Sequence, residues 1–323
     1  MPLPTLFQNA LSVPVIGAPM FLVSFPPLVT ALCKAGVVGT FPHVNARPTA
    51  QLDDWLSEIE RELASSRAAD PQAVIAPFGI NLVVHHTNPR FEPDLEVVVA
   101  HKVRFVITCL GNPAPVVQAV HAYGGTVFCD VTSAGHARKS ARAGVDGLIC
   151  VGAGAGGHAS SQGAFSLVRE IREFWHGSLV LGGAINDGWQ VRAAEMLGAD
   201  LAYMGTRFLA TRESQAQQSY KQMVVDAGVA DLIYTDRFSG VPANFLRASI
   251  DRFGIDVATL PPKKPDMASL TDTEARVWKD LWSAGQGVAT IHDIPTVAEL
   301  VRRIADEYRA ACRIPPSPAL RTA

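Results

Sequence analysis

Eight short apolar runs recur along the first two thirds of this 323-residue chain, and their spacing is the feature that most limits its fold. Each run is almost continuously apolar, which is typical of strands buried on both faces of a parallel sheet. Their starts lie between 20 and 41 residues apart, enough for a loop, a helix and a return. The runs cover residues 14–20, 37–42, 78–84, 104–110, 126–131, 146–152, 179–185 and 201–208.

The intervals between the runs predict helices. The longest interval carries Leu52, Leu56, Ile59 and Leu63 at the spacing of one helical face. A strand followed by a helix, repeated eight times, places the chain in the α/β class and closes most naturally into a (β/α)8 or TIM barrel. A doubly wound open sheet is the alternative, because the order of the strands is not visible in the sequence.

The repeat ends near Gly228. Residues 229–275 contain four prolines among irregular apolar residues, and helical patterns follow over residues 270–282 and 296–311. We therefore expect a TIM barrel with the ligand site over residues 1–228. A small helical lid or substrate domain is expected over residues 229–275, and C-terminal helices that return to the barrel over residues 276–323.

Composition and charge narrow the class of partner. The chain is 48% hydrophobic and 18% charged, with a formal net charge of −2 and no long basic run. These values predict a globular enzyme with a small-molecule substrate, not a nucleic-acid or membrane-surface protein. No apolar run approaches the roughly 20 residues of a spanning helix, and the N-terminus lacks a charged, signal-like start, so we expect a cytoplasmic protein. The five cysteines have no CxxC spacing and are expected to be buried thiols.

Unusual residues collect at the C-terminal ends of the runs, where a barrel enzyme holds its ligand. The sixth run is followed by a glycine-rich turn over residues 152–157 and then by His158. Glycines let the backbone approach a ligand, and histidine titrates nearest neutrality, so His158 is the candidate for moving a proton. The alternative is a histidine that only caps the next segment. A GxSxG nucleophile motif does not accompany the turn, which disfavours acyl transfer.

Two further glycine clusters predict a phosphate site. Gly182 and Gly183 end the seventh run, and Gly205 and Thr206 end the eighth. Barrels commonly hold a phosphate at these two loops with backbone N–H groups. The alternative is that the glycines only permit tight turns.

Polar residues also interrupt two apolar runs. Asn81 carries a buried amide that needs partners, either a cofactor ring edge or a neighbouring backbone. Asp130 is either a carboxylate that faces the ligand or the cap of the helix that carries His136, and we favour the cap. His85 and His86 have no acidic or thiol companion at metal-ligand spacing, so no metal site is expected.

Together, these segments resemble the nitronate monooxygenase family, formerly called 2-nitropropane dioxygenases, which are flavin enzymes built on a TIM barrel. The similarity covers most of residues 10–215 and extends to a segment near the C-terminus. It is carried by residues 17–20, 78–81, 156–158, 182–183, 198–200, 204–208 and 282–287. One position departs from the pattern, because some relatives carry a lysine where this chain has Asp130.

The resemblance implies FMN across the mouth of the barrel, with His158 as the catalytic residue. The phosphate of FMN would lie on Gly182, Gly183, Gly205 and Thr206. Its ring would lie against Ala18, Pro19, Met20, Asn81, Ala155, Gly156, Gly157 and His158. Gln286 is also expected to contact the cofactor.

The implied reaction oxidises an alkyl nitronate, such as propionate 3-nitronate, with O₂ to a carbonyl compound and nitrite. For a neutral nitroalkane, His158 would first remove the α proton. An FMN-dependent NAD(P)H:quinone or enoyl-ACP reductase is the enzyme alternative, because related barrels share the Gly-Gly-His loop. A barrel that only binds a phosphorylated ligand is an alternative from another class. A homo-oligomer is compatible with each of them.

Overall fold

The computed structural model describes residues 3–265 and 277–315, and its eight parallel strands close into a barrel. The first and last strands complete the circle through pairs such as Ile16 with Tyr203. The predicted TIM barrel is confirmed, and the open sheet is excluded. The barrel strands are β1 Val15–Gly17, β2 Val38–Pro42, β3 Phe78–Val83, β4 Phe105–Cys109, β5 Thr126–Val131, β6 Gly147–Val151, β8 Ser178–Gly182 and β9 Leu201–Met204.

Helices fill the intervals and pack their apolar faces on the barrel. The helix of the longest interval buries the four predicted residues, Leu52, Leu56, Ile59 and Leu63. Within the described ranges, no helix combines the length and the apolar character that crossing a bilayer requires. The helices are α1 Pro26–Lys34, α2 Thr49–Ala69, α3 Phe91–Ala100, α4 Ala114–His121, α5 Ala134–Arg142, α6 Ala164–Arg172, α7 Gly188–Leu197, α8 Thr206–Leu209, α9 Gln218–Asp226, α10 Arg247–Asp251 and α11 Val297–Ala311.

Side chains alternate between the inside and the outside of the barrel along each strand. On β4, Phe105 and Ile107 belong to the interior cluster, whereas Val106 packs in the layer between strands and helices. Phe7 contributes to the same interior, with its ring edge-on to Phe105 at 5.0 Å between centroids. The other interior residues are Ile16, Val38, Phe128, Ile149, Val180, Leu201 and Tyr203. Because this interior is filled, a ligand must lie above it, at the C-terminal ends of the strands.

A small antiparallel sheet joins the segment after the barrel to the loop that follows β6. Its strands are β7 Gly157–His158, β10 Leu232–Thr235 and β11 Ala243–Leu246, with β11 in the middle. His158 pairs with Ala243, and Gly157 pairs with Asn244. We call residues 229–265 the lid segment. It contains strands as well as short helices, and the domain limits given above stay predictions.

The helix predicted over residues 270–282 is wrong for residues 277–282, and residues 270–276 lie outside the described residues. Residues 277–282 form a turn closed by a single bridge between Val277 and Leu281. Leu281 is buried with Phe245 of the lid segment, while Trp282 stacks on Tyr220 of α9 with ring centroids 4.8 Å apart. The apolar spacing therefore reflects burial against two different neighbours, which imitates a helical pattern.

The close packing of α7 on α11 predicts unequal costs for two helical glycines. A Cβ on Gly188 would lie 2.1 Å from the backbone nitrogen of Tyr308 and 2.3 Å from the carbonyl oxygen of Ile304. Gly188→Ala should therefore lower the free energy of unfolding by about 1–3 kcal/mol.

Gly135 of α5 is the matched control, since the nearest atom to its added Cβ is 3.8 Å away. Gly135→Ala should be neutral or stabilising by up to ~1 kcal/mol, because alanine is the better helix former. Urea unfolding of both variants measures the difference, and equal stabilities would contradict the close approach of the two helices.

Candidate active site

A cavity of about 730 Å³ lies directly above the apolar interior of the barrel. Side chains along each strand alternate between the two faces of the barrel wall. Residues two positions after interior side chains therefore point inward again and line the cavity. Those residues are Ala18, Cys109, Asp130, Val151 and Gly182, and Tyr203 follows Leu201 in the same way. The cavity therefore lies at the C-terminal face, where barrel enzymes carry their active sites.

Three side chains that line this cavity have a buried polar atom without a hydrogen-bond partner. The atoms are Nδ2 of Asn81, Oδ1 of Asp130 and the hydroxyl oxygen of Tyr203. The other amide atom of Asn81, Oδ1, accepts a long hydrogen bond of 3.5 Å from Sγ of Cys109. An unpaired buried polar group costs about 1–3 kcal/mol, so this layer fits a ligand that carries complementary donors and acceptors.

Asp130 faces the cavity, and the prediction that it caps the next helix is wrong. Ser133 is the N-cap of α5, and its Oγ accepts a hydrogen bond of 3.2 Å from the backbone nitrogen of His136. Burial raises the pKa of Asp130 to about 7, because removal from water disfavours the charged form. The carboxyl group is therefore close to half-protonated at neutral pH, and it is the ligand-facing one of the two alternatives.

The glycine-rich turn after β6 is held in place by residues from the segments that follow the barrel. Nδ2 of Asn244 donates to the carbonyl oxygens of Ala153 at 3.0 Å and Ala155 at 2.7 Å. The backbone nitrogen of Gly157 donates to Oγ of Ser283 at 2.5 Å. Asn244 is almost completely buried, so the turn depends on hydrogen bonds that water does not replace.

The position of Gly156 requires a glycine for a structural reason, in addition to any approach of a ligand. A Cβ at this position would lie 2.8 Å from the backbone nitrogen of Gly285, and a Cβ on Gly285 would lie 2.5 Å from the carbonyl oxygen of Gly154. The two glycines let the turn and the segment near the C-terminus meet backbone to backbone. Gly156 still lines the cavity, so both uses are compatible.

His158 is half-buried and lines the cavity from its lid side. Its Nε2 lies 3.2 Å from Oγ of Ser239, and its ring meets the edge of Trp278 with centroids 5.3 Å apart. Burial lowers the pKa of His158 to about 4, so the ring is neutral near pH 7 and can accept a proton. The capping alternative is not what the structure has, since Gly163 precedes the next helix, α6.

The two glycine clusters after β8 and β9 face the same cavity. In the described part of the chain, the backbone amides of Gly183, Gly205 and Thr206 donate no hydrogen bond. Oγ1 of Thr206 accepts a hydrogen bond of 2.9 Å from the backbone nitrogen of Gly285, which leaves its hydroxyl hydrogen available. Unpaired amides and a hydroxyl group that line one cavity form a site suited to an anion. We call Gly182, Gly183, Gly205 and Thr206 the anion rim.

All but one of the predicted site residues line the cavity. Those that do are Ala18, Pro19, Met20, Asn81, Ala155, Gly156, Gly157, His158, Gly182, Gly183, Gly205 and Thr206. The exception is Gln286, which is exposed, although its backbone nitrogen donates to the carbonyl oxygen of Gly154 at 2.9 Å. Gln286 thus supports the turn through its backbone, and contact with a cofactor stays a prediction.

Three residues that shape the site were not found from the sequence. Tyr203 lies in an apolar run, where an aromatic residue is usually part of the core. Its position two residues after the inward-facing Leu201 could have indicated that its side chain faces the cavity. Asn244 gave no signal, because it acts on a turn that is about 90 residues away along the chain. Ser283 lies in the segment 282–287 that carries the resemblance, but nothing in the sequence showed that its hydroxyl group holds the turn.

A closed barrel with an anion rim, a layer of unpaired polar atoms and a histidine around one cavity at its C-terminal face has the arrangement of a barrel enzyme. Comparison with known proteins names the family. Residues 85–307 match the family model described as nitronate monooxygenase, and the chain belongs to this family. It is a flavin-dependent oxidoreductase.

Individual relatives carry more than one enzyme name. A nitronate monooxygenase of Neurospora crassa is 28% identical over 342 residues, which cover 91% of this chain and 89% of that protein. An octahydro-indene-carboxyl-CoA dehydrogenase of Mycobacterium tuberculosis is 28% identical over 240 residues, covering 73% of this chain and 64% of that protein. The match covers 44% of the length of a putative monooxygenase of Mycobacterium tuberculosis, which is 33% identical over 167 residues, and 92% of the length of a nitronate monooxygenase of Paraburkholderia phytofirmans, which is 26% identical over 341 residues.

A solved structure of a nitroalkane oxidase from Streptomyces ansochromogenes has the same fold. Its TM-score to this chain is 0.80 at 24% sequence identity, and the match covers 95% of this chain and 99% of that one.

The burial of Asp130 predicts a stability effect that depends on pH. Its pKa is about 7 in the folded chain against an ordinary 3.8. Between these values the folded state keeps a proton that the unfolded state has lost, so stability falls as the pH rises towards 7 and stays low above it. Asp130→Asn removes this penalty and should stabilise the flavin-free protein by about 1–3 kcal/mol more at pH 8 than at pH 5.

Urea unfolding at the two pH values measures this difference. Asp54→Asn is the control, because Asp54 lies exposed on α2. The control should give the same small change at both pH values. A gain from Asp130→Asn that does not depend on pH would contradict the raised pKa.

Proposed function

We propose that this protein is an FMN-dependent nitronate monooxygenase, which oxidises alkyl nitronates with O₂ to a carbonyl compound and nitrite. The observation that carries the proposal is one cavity that combines the anion rim, the unpaired atoms of Asn81 and Tyr203, and neutral His158. Membership of the nitronate monooxygenase family supports the same class of reaction.

The lining residues fit FMN in both charge and polarity. The free amides of the anion rim would hold the phosphate group, which carries the negative charge of the cofactor. Asn81 and Tyr203 would pair with polar atoms of the ring, and Ala18 and Met20 would offer it an apolar surface. Bound FMN would supply the electron transfer that links the organic substrate to O₂.

His158 would handle the proton of the reaction. A neutral nitroalkane must lose its α proton to become a nitronate, and a neutral imidazole at the edge of the cavity is a suitable base. Trp278 packs against the ring and restricts its orientation. A nitronate supplied ready-made does not need this step, so the two kinds of substrate separate proton removal from oxidation.

A reductase is the second candidate: an FMN enzyme that oxidises NAD(P)H and reduces a quinone or an enoyl thioester. The observation in its favour is the 28% identity, over 240 residues, to a relative named as a carboxyl-CoA dehydrogenase. This candidate uses the same anion rim, and it differs from the first in its electron donor.

An absorption spectrum of the purified protein distinguishes these functions. We expect a yellow protein whose flavin is bleached by anaerobic propionate 3-nitronate and recovers in air, while NADH has no comparable effect. Rapid bleaching by NADH or NADPH without nitronate turnover would assign the reductase. A colourless protein that takes up no added FMN would leave only a barrel that binds a phosphorylated ligand.

Replacement of His158 should separate the two substrates. His158→Asn is expected to retain FMN and to lose about 100-fold or more in kcat/KM for neutral nitroalkanes, the usual contribution of a general base. Turnover of ready-made nitronate should change less than about tenfold. Steady-state kinetics with both substrates measure the difference, and an equal loss for both would show that His158 does not remove the proton.

The lowered pKa of His158 also fixes the acid limb of the wild-type profile. The neutral base is present above a pKa of about 4 and is lost as the pH falls through it. The kcat/KM of the wild-type enzyme for neutral nitroalkanes should therefore stay level down to about pH 5 and then decline. The nitronate reaction of the same enzyme preparation serves as the control.

A further inference from the structure

Ser239 stands next to the candidate base. It lies in the turn of the lid segment between β10 and β11, and its Oγ is 3.2 Å from Nε2 of His158. Among the described residues, this oxygen is the hydrogen-bond partner of the imidazole ring, and Nδ1 of the ring has none. The contact can therefore decide which ring nitrogen carries the hydrogen.

The remaining contacts of Ser239 settle the direction of that hydrogen bond. Its Oγ lies 3.0 Å from the carbonyl oxygen of Val241, which can only accept, and 3.4 Å from the backbone nitrogen of Val241, which can only donate. The single hydroxyl hydrogen therefore points to the carbonyl oxygen. Both lone pairs of Oγ are then available, one for the nitrogen of Val241 and one for a hydrogen on Nε2 of His158.

The reverse direction would leave a carbonyl group unpaired. If Ser239 donated to Nε2, the carbonyl oxygen of Val241 would lose its partner within the described residues. Gly240 holds the two residues in this turn with a φ of 76°, and a Cβ there would lie 2.4 Å from the backbone of residues 264 and 265. The turn therefore packs closely on the backbone of residues 264 and 265, and the two contacts with Val241 hold the hydroxyl group of Ser239.

We infer that Ser239 is a positioning residue that holds His158 in the Nε2–H tautomer and leaves Nδ1 as the nitrogen that takes the proton. The tautomer follows from the hydrogen bonds, and only its use in catalysis rests on the proposed function. The backbone of His158 is held by its pairing with Ala243, and its ring contacts Trp278.

The proton-removal step is then defined atom by atom. The α C–H bond of a neutral nitroalkane breaks, and an N–H bond forms at Nδ1 of His158. The electron pair of the C–H bond becomes the C=N bond of the nitronate, and the negative charge moves to the two oxygens. The imidazolium ion that results keeps its Nε2–H donated to Ser239, so the serine stabilises the charge as it develops.

Nitrogen NMR of the flavin-loaded protein reads the tautomer directly. With ¹⁵N-labelled histidine, the signals of His158 are assigned by their absence in His158→Asn, since the chain has nine histidines. We expect the wild-type ring to be protonated at Nε2 and not at Nδ1 at pH 7. In Ser239→Ala the Nδ1–H form should appear, and kcat for neutral nitroalkanes should fall about threefold to tenfold, the effect of one hydrogen bond.

Ser239→Thr is the matched control, because it keeps a hydroxyl group in the same place and should keep both the tautomer and most of the activity. Oxidation of ready-made nitronate should stay within about twofold in both variants. Flavin content and circular dichroism report whether each variant folds, and the wild-type spectrum tests the tautomer even if one does not.

Two results would overturn the inference: a wild-type ring protonated at Nδ1, or a tautomer that Ser239→Ala leaves unchanged. The outcomes also separate this inference from the proposed function. If Nε2 of His158 carries the hydrogen but the protein oxidises no nitronate, the proposed function is rejected and the effect of Ser239 on the tautomer is kept. If the protein oxidises nitronate but the ring of His158 is protonated at Nδ1, the proposed function is kept and the inference about Ser239 is rejected.

Discussion

The site depends on the alternation of side chains along the barrel strands, in which every second residue points into the barrel. That alternation stacks an inward layer of apolar side chains below and a polar layer above it, formed by Asn81, Cys109, Asp130 and Tyr203. Three of these residues keep a buried atom unpaired, each at a cost of about 1–3 kcal/mol. The layer forms the floor of the cavity, and its burial raises the pKa of Asp130.

The barrel and the segments after it contribute different parts of the site. Strand ends and βα turns supply the polar floor and the anion rim, which are local consequences of glycine and of strand register. The orientation of His158 comes from elsewhere, through the pairing of β7 with β11 and through Asn244 and Ser283. The anion rim is therefore a local product of the barrel, whereas the position of His158 depends on contacts from the segments after it.

The sequence predicts the parts of the site that depend on residues close together in the chain, and it misses the parts that depend on contacts between distant residues. The eight strands, the anion rim and His158 are marked by local patterns, and twelve of the thirteen proposed site residues line the cavity. Asp130 was misplaced because a polar residue at a strand end suits a cap and a ligand site equally, and Ser133 is the better cap by three-residue spacing. Residues 277–282 imitate a helix because they are buried on two sides. Long-range contacts such as that of Asn244 leave no local trace.

The location of His158 on the sheet of the lid segment limits how this enzyme could be modified by evolution or by design. In many barrels, loops can be exchanged without disturbing the catalytic groups, which the strands hold. Here β7 is an edge strand of the sheet that the exchanged segment would complete. A transplanted lid segment would bring new neighbours to the imidazole along with new substrate contacts. The surroundings of His158 and the lid segment are therefore inherited together, and a graft that keeps this sheet intact must include residues 152–158 with residues 229–265.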